Sequence, residues 1–321
     1  MKAIVYTEYG PPEVLHLKEV EKPTPKANQV LVKVHAASIN AMDYRRFETI
    51  SILGRLMDER ITKAINTVLG ADIAGTVEAV GSNVTEFHPG DEVFGIAPDA
   101  FAEYVCNGAS KFALKPANLS FEEAAAVPVA AFTALQGLRD KGQIQPGQKV
   151  LIDGASGGVG TFAVQIAKSF GAEVTAVCST RNLGMVRSIG ADYVIDYTRE
   201  DFTKSGLRYD LILAVNGHHP ILDYRRALSA NGRCVMAGGP LSQVLQAILL
   251  GPLASRIGRK QIGFQGIATT PQEDLLVIKQ LLEAGKIVPV IDKCYPLRET
   301  AEAIRYLVKE HARGKVVITV A

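Results

Sequence analysis

One stretch constrains this chain more than any other: Leu151–Thr180, "LIDGASGGVGTFAVQIAKSFGAEVTAVCST". An apolar run ends at Asp153, and "GASGG" supplies five small residues in a row. A helix-period run follows, with Phe162, Ala163, Ile166, Ala167 and Phe170 on one face, and it stops at Gly171. Ala155, Gly157 and Gly160 hold the places of a G-x-G-x-x-G pattern, with alanine standing for the first glycine. Small residues are required there because the chain turns tightly, a pyrophosphate approaches the backbone, and the helix packs close to the strand. The helix start then offers N–H groups and a positive dipole end to an anion. A tight βα turn without a ligand would read much the same. What favours a dinucleotide over Ala155, Ser156, Gly157, Gly158, Val159 and Gly160 is the context of five further strands.

Those strands are the apolar runs "AEVTAVC", "YVIDY", "YDLILAV", "GRCVMAG" and "IGFQGIA", which with "KVLID" make six and alternate with helix-length segments from Lys149 to Ala268. Alternation of this kind predicts βαβ crossovers and a doubly wound six-stranded parallel sheet. Before it, from Met1 to about Lys115, short Val- and Ile-rich runs such as "QVLVKVHAAS" and "AGTVEAVG" alternate with Gly, Pro and Asn turns. This pattern predicts an antiparallel, barrel-like β unit. The helix-like "EDLLVIKQLLEAGKI" and strand-like "GKVVITVA" of the tail are too short for a domain and are expected to pack back on the first unit. The 321 residues suit about two domains.

Composition removes several function classes. Thirty-five basic residues against 33 acidic ones give a net charge of +2, too balanced for a protein that lives on nucleic acid phosphates. Cys106, Cys178, Cys234 and Cys294 form no C-x-x-C pair, which points to reduced thiols rather than to a disulfide framework or a zinc knuckle. "MKAIVYTEYG" opens as a strand, without a secretory leader, and the apolar run Val244–Ala254 is too short to span a bilayer. A cytoplasmic protein without stable membrane insertion is the expectation.

The second strand should end by presenting an acid to the ribose hydroxyls if the dinucleotide is NAD. Here it ends in "CSTRN". Ser179, Thr180 and Arg181 supply hydroxyls and a guanidinium, with no acid in the run to repel a 2′-phosphate, so NADPH is expected. A solvated arginine in an exposed loop is the alternative.

With this loop behind a β-rich first half, the chain resembles the medium-chain dehydrogenase/reductase superfamily, and within it the zinc-independent quinone oxidoreductase branch related to zeta-crystallin. The carriers are "LGADIAGTVEAVGSNVTEFHPGDEVFG", "AAAVPVAAFTALQGL", "GASGGVG", "GADYVIDY" and "HARGKVVI", spread over nearly the whole length. The resemblance implies a GroES-like catalytic domain over 1–122, completed by 269–321. A Rossmann domain over 123–268 is inserted between them, and substrate lies against the nicotinamide in the cleft. It also implies a homodimer.

Zinc-dependent members of that superfamily bind their catalytic metal with a Cys and a His-Glu pair. The matching positions here hold Asn40, Ala71 and Asp72, so no metal ligands are expected. The chemistry then implied is hydride transfer from NADPH to a small electrophile, either a quinone or an α,β-unsaturated carbonyl. By resemblance Asn40 and Asp43 line the cleft, Thr133 contacts the cofactor, Lys315 reaches its phosphates, and Tyr197 closes over the 2′-phosphate or stacks in the core. Tyr44 is the candidate for binding the acceptor oxygen or delivering a proton, against a plain packing role. The place where enoyl-reductase relatives keep a tyrosine holds Arg46. The rival readings are an NADPH-binding regulatory or structural protein and, less favoured, a zinc alcohol dehydrogenase. Two segments depart from compact relatives, 46–68 and 240–261. The second reads either as a packing or dimer surface or as an apolar lid near a membrane. His218 and His219 are candidates for a loop contact near the cofactor rather than a metal pair.

Overall fold

In the computed structural model, which describes residues 1–7, 10–44, 67–255, 258–310 and 312–320, the early Val- and Ile-rich runs form eight strands. These are β1 (Lys2–Tyr6), β2 (His16–Glu19), β3 (Gln29–Ser38), β4 (Thr67–Val68), β5 (Asp72–Val80), β6 (Glu92–Ile96), β7 (Tyr104–Gly108) and β8 (Phe112–Leu114). Helices α1 (Phe121–Ala125) and α2 (Pro128–Gln136) follow. The next strands are β9 (Lys149–Asp153), β10 (Glu173–Cys178), β11 (Tyr193–Asp196), β12 (Tyr209–Ala214), β13 (Leu228–Met236) and β14 (Gln261–Phe264). Between and beside them lie α3 (Gly158–Ser169), α4 (Leu183–Ser188), α5 (Ile221–Ala227) and α6 (Leu241–Ser255). The chain ends through α7 (Gln272–Glu283), β15 (Ile291–Pro296), α8 (Thr300–Lys309) and β16 (Lys315–Thr319). Segment 46–68 lies almost wholly outside the described residues, as does Arg46.

The first unit comprises Met1–Val129, Thr270–Glu283 and Pro289–Ala321. Its main sheet runs β15-β16-β3-β5-β6-β8, with β7 also on β3. β3 is the hub, pairing antiparallel with β5, β7 and β16. Its inward residues Val30, Val32 and Val34 meet Ile73, Phe101 and Ile318 in one core. The tail does return to this unit, because β16 adds a strand beside β3.

The second unit, Ala130–Thr269 with Ala284–Val288, holds the parallel sheet β11-β10-β9-β12-β13-β14. β9 and β12 lie inside the sheet, which is why "KVLID" and "YDLILA" are almost uninterrupted apolar runs. The strand order reverses between β9 and β12, the place where such sheets open a crevice at their carboxyl edge.

The boundary falls at 129/130, later than the 122/123 expected. The Val129 N–H bonds the Asp72 carboxylate at 2.9 Å, which keeps the first turn of α2 with the first unit. The return of Ala284–Val288 to the second unit is made by one buried amide. Gln165 donates to Val288 O (3.0 Å) and accepts from Val288 N (2.8 Å). Gln165→Leu leaves both backbone groups unpaired and should lower unfolding stability by about 1–3 kcal/mol. A urea titration reads this as an earlier midpoint at unchanged slope, and an unmoved midpoint would contradict it.

Candidate functional site

The glycine-rich turn joins β9 to α3. Gly154 has φ +85°, outside the range of ordinary residues, and a Cβ on Gly160 would stand 2.1 Å from Gly154 O and 2.7 Å from Ala155 C. Only glycine permits that contact between helix and turn. The N-cap of α3 is Gly157, and no side chain caps it. The first-turn N–H groups around Gly158, Val159 and Gly160 are thus left for an outside acceptor at the positive end of the helix. Ala155 is fully buried and gives its N–H to Val177 O at 3.0 Å, so it shapes the turn.

Beside this turn the end of β10 carries Ser179, Thr180 and Arg181. Asn182, 3% exposed, donates to both Ser156 Oγ (3.0 Å) and Ser179 Oγ (3.2 Å), tying the glycine loop to the second strand end. Its Oδ1 is buried without a hydrogen-bond partner. A buried acceptor left open beside an uncapped helix start fits a site completed by a ligand. Arg181 is exposed, and Tyr197, which follows the Cys178–Asp196 pair at the neighbouring strand end, is 60% exposed, so its ring does not stack in the core.

Thr180 requires a correction. Its hydroxyl donates to Asp196 Oδ2 at 2.5 Å and so has no proton left for a phosphate. The absence of an acid from "CSTRN" is likewise offset by Asp196, which ends the neighbouring strand β11. Thr180, followed by Thr198, holds that carboxyl below its ordinary range. Both oxygens are engaged, with Oδ1 accepting from Thr198 N (3.0 Å) and Thr198 Oγ1 (2.7 Å). Thr133 sits half-buried on α2 and its carbonyl accepts from Gln265 Nε2 at 2.9 Å.

A second cluster lies in the first unit, where the register of β3, β5 and β16 brings three strand ends together. Ser38 ends β3 opposite Asp72, the first residue of β5, and Lys315 opens β16. Gly314 before it has φ +81°, and a Cβ there would stand 2.1 Å from Val290 O. Asp72 is fully buried. Its Oδ2 accepts from Ser38 Oγ (2.8 Å), Asn40 Nδ2 (2.9 Å) and Lys315 Nζ (3.4 Å), while Oδ1 accepts from Val129 N (2.9 Å) at the start of α2. Lys315, 3% exposed, also donates to Asn40 Oδ1 (2.7 Å) and Ile39 O (3.1 Å). An ammonium has three donors and these partners take all of them. The expected contact of Lys315 with cofactor phosphates is therefore corrected: the residue is spent inside the first unit.

The carboxamide of Asn40 is held from both sides. A carboxylate only accepts and an ammonium only donates, so its oxygen must face Lys315 and its nitrogen Asp72. The second Nδ2 hydrogen has no partner among the described residues, and Asn40 is half-exposed. Asn40 also begins a helical turn over residues 41–44, in which Asp43 Oδ2 accepts from Asn40 N at 2.7 Å and Asp43 N donates to Asn40 O at 3.0 Å. Asp43 is buried, and burial, with the negative charge of Asp72 adding to it, pushes its carboxyl up to about 7. Tyr44 packs half-buried against the core of the first unit.

Comparison with known proteins agrees with this geometry. Residues 26–137 match the alcohol dehydrogenase GroES-like domain, and residues 189–318 match the zinc-binding dehydrogenase family. A tomato (Solanum lycopersicum) 2-methylene-furan-3-one reductase is 37% identical, with 99% of this chain and 79% of that protein aligned. An Arabidopsis thaliana chloroplastic NADPH-dependent alkenal/one oxidoreductase is 33% identical over the same shares. The chain belongs to the medium-chain dehydrogenase/reductase superfamily, in its quinone oxidoreductase-like branch. Among solved structures, the quinone oxidoreductase from Coxiella burnetii superposes with a TM-score of 0.85 at 31% identity, covering 100% of this chain and 99% of that one.

The resemblance puts the zinc ligands of the zinc-dependent members at three positions of this chain. Asn40, Ala71 and Asp72 stand at the ligand positions, and the Lys315 ammonium already lies against Asn40 and Asp72. A dication would meet a buried cation there and find neither thiolate nor imidazole, so the residues do not fit zinc. Among the described residues no three His, Cys, Asp or Glu side chains gather as metal ligands. His219 instead stacks edge-on with Phe202 and Tyr224, at ring-centroid distances of 4.9 and 5.8 Å. Sequence reasoning passed over Asp72, Asn182 and Asp196 as working residues. Asp72 stood in view at a vacated ligand position, whereas nothing in the local pattern around Asn182 or Asp196 marked them.

Asp43 gives a pH test. Its folded value near 7 lies above the ordinary 3.8, so the unfolded chain releases the proton first. The stabilisation is full below about pH 4 and is lost as pH rises through about 7, a change of order 4 kcal/mol. Asp43→Asn keeps an acceptor for Asn40 N and should flatten this part of the stability curve. Urea unfolding at a series of pH values checks it, and equal slopes for the two proteins would contradict it.

Proposed function

We propose that this protein is a zinc-independent, NADPH-dependent oxidoreductase that reduces a quinone or an α,β-unsaturated carbonyl. The observation that carries the reading is the clamped Asn40 amide, a neutral hydrogen-bond donor of fixed direction at positions where zinc-dependent relatives keep metal ligands. The names of the relatives, a furanone reductase, an alkenal/one oxidoreductase and a quinone oxidoreductase, support the same substrate class.

Bound NADPH supplies the hydride. The chain's own part begins at the β9–α3 turn, where Gly157, Gly158, Val159 and Gly160 present backbone N–H groups to the pyrophosphate. Ser179 and Arg181 give the 2′-phosphate a hydroxyl and a guanidinium, with the exposed Tyr197 ring alongside and Asn182 bracing the strand end. Asn40 Nδ2 donates its remaining hydrogen to the acceptor oxygen, on which negative charge grows as hydride arrives at carbon. Lys315 and Asp72 act on the acceptor only through Asn40, as positioning residues, and Asp43 sets the turn that carries it. The one proton that completes the reduction, beside the hydride, comes from water or from Tyr44. The four unpaired cysteines are in keeping with a reducing compartment such as the cytoplasm.

The test is the initial rate of NADPH oxidation with a simple quinone and a 2-alkenal, chelator present, each repeated with NADH. We expect turnover that survives the chelator and a preference for NADPH of roughly tenfold or more, the worth of one charge-assisted bond. Equal use of NADH would refute the 2′-phosphate pocket. Tight NADPH binding without turnover of either acceptor would favour a regulatory or structural role, and loss of rate with chelator would restore zinc.

A further inference from the structure

Asn182 occupies the N-cap of α4 and does not cap it. Asparagine is favoured at that position because its side-chain oxygen can take one of the first free N–H groups of the helix. Here that oxygen, Oδ1, is buried and has no hydrogen-bond partner among the described residues. The amide is turned to other work. Nδ2 donates to Ser156 Oγ at 3.0 Å, 26 residues back in the glycine loop, and to Ser179 Oγ at 3.2 Å, just past β10. A residue that leaves its cap unmade and a buried acceptor unpaired breaks two local rules at once, and such departures gather at working sites.

The direction of the amide follows from its surroundings. Turned over, it would take both serine hydroxyls on its oxygen and bury two N–H groups where Oδ1 now stands. Two orphaned donors are less tolerable than one under-used carbonyl. Nδ2 therefore faces the serines, and each serine oxygen accepts. A serine hydroxyl has a single proton, which is then left to point away from the amide. Neither Ser156 nor Ser179 gives that proton to another group among the described residues. Both serines are half-buried, Ser156 just ahead of the uncapped start of α3 and Ser179 two residues before the exposed Arg181. Two hydroxyl protons held by one amide thus join the open N–H groups of α3, a set of donors suited to phosphate oxygens.

We propose that Asn182 is a positioning residue that fixes the proton direction of both serines, so that Ser156 donates to the pyrophosphate and Ser179 to the 2′-phosphate of NADPH. This role rests on the NADPH reading above and deepens it. The pyrophosphate is common to NADPH and NADH, so the Ser156 share of the effect falls on both cofactors. A 2′-phosphate accepts hydrogen bonds, whereas the 2′-hydroxyl of NADH can also donate and so suits a serine turned either way. The Ser179 share therefore discriminates between the two. Released from Asn182, a hydroxyl visits three staggered positions and donates outward in one of them, a loss of roughly threefold.

The experiment is isothermal titration calorimetry of NADPH and NADH with the parent, Asn182→Ser, Ser179→Ala and the double variant, beside urea unfolding of each. Serine is a good N-cap, so Asn182→Ser removes the amide donors while allowing α4 to be capped, and the unfolding midpoint should be unchanged or later. The parent should prefer NADPH, and Asn182→Ser should lower that preference about threefold. In the Ser179→Ala background the same substitution should leave the preference where it was, because Asn182 acts through Ser179. Equal weakening of both cofactors by Asn182→Ser, with or without an earlier midpoint, overturns the proposal, since Asn182 is then a structural brace alone. So does a fall in preference that persists without Ser179. Equal affinity of the parent for NADPH and NADH overturns the NADPH reading itself. A parent that prefers NADPH, with the preference intact in Asn182→Ser, overturns the role of Asn182 and leaves that reading standing.

Discussion

The buried carboxylate of Asp72 is the contact on which the first unit's chemistry depends. It receives four donors from four places in the chain: the end of β3, the turn after it, the first turn of α2, and the opening residue of β16. A fully buried charge is tolerated only when it is paired and hydrogen-bonded. Here that requirement brings Ser38, Asn40, Val129 and Lys315 together. The carboxylate and the ammonium that satisfy each other also leave the Asn40 amide a single orientation. Structure and proposed chemistry thus come from one electrostatic demand.

The second unit rests on a different constraint, the approach of backbone to backbone at Gly160 and Gly154. That closeness leaves the start of α3 uncapped and turned toward the carboxyl edge of β9. Asn182 extends the arrangement sideways by binding the serine of the glycine loop and the serine at the end of β10 at once. A ligand that fills this cradle therefore meets two strand ends that are already fixed relative to each other.

Much of this was legible in the sequence where the physics is local. The change from short turn-bounded runs to alternating strands and helices marked the two folds, and the six apolar runs marked the six strands β9 to β14 of a parallel sheet. The glycine loop was legible because only small side chains survive that geometry. What could not be read depends on register between distant strands. Lys315 lies 243 residues from Asp72, and no local pattern says that the first residue of β16 points into the site rather than toward a phosphate. Thr180 was misjudged for the same reason, since the carboxylate that takes its proton belongs to another strand. The 240–261 segment was recognised as apolar, but its division into an inner face with Ala247 and Ala254 buried and an outer face with Leu245, Leu249 and Leu253 exposed appears only once α6 is placed.

The measurement that tests the account most directly is steady-state kinetics of Lys315→Met alongside its NADPH dissociation constant, with folding checked by circular dichroism. If Lys315 orients Asn40, kcat falls by about tenfold or more, the worth of a charge-assisted bond, while NADPH binding stays within about twofold. A tenfold weaker NADPH complex with kcat retained would place Lys315 on the cofactor's phosphates and contradict the account.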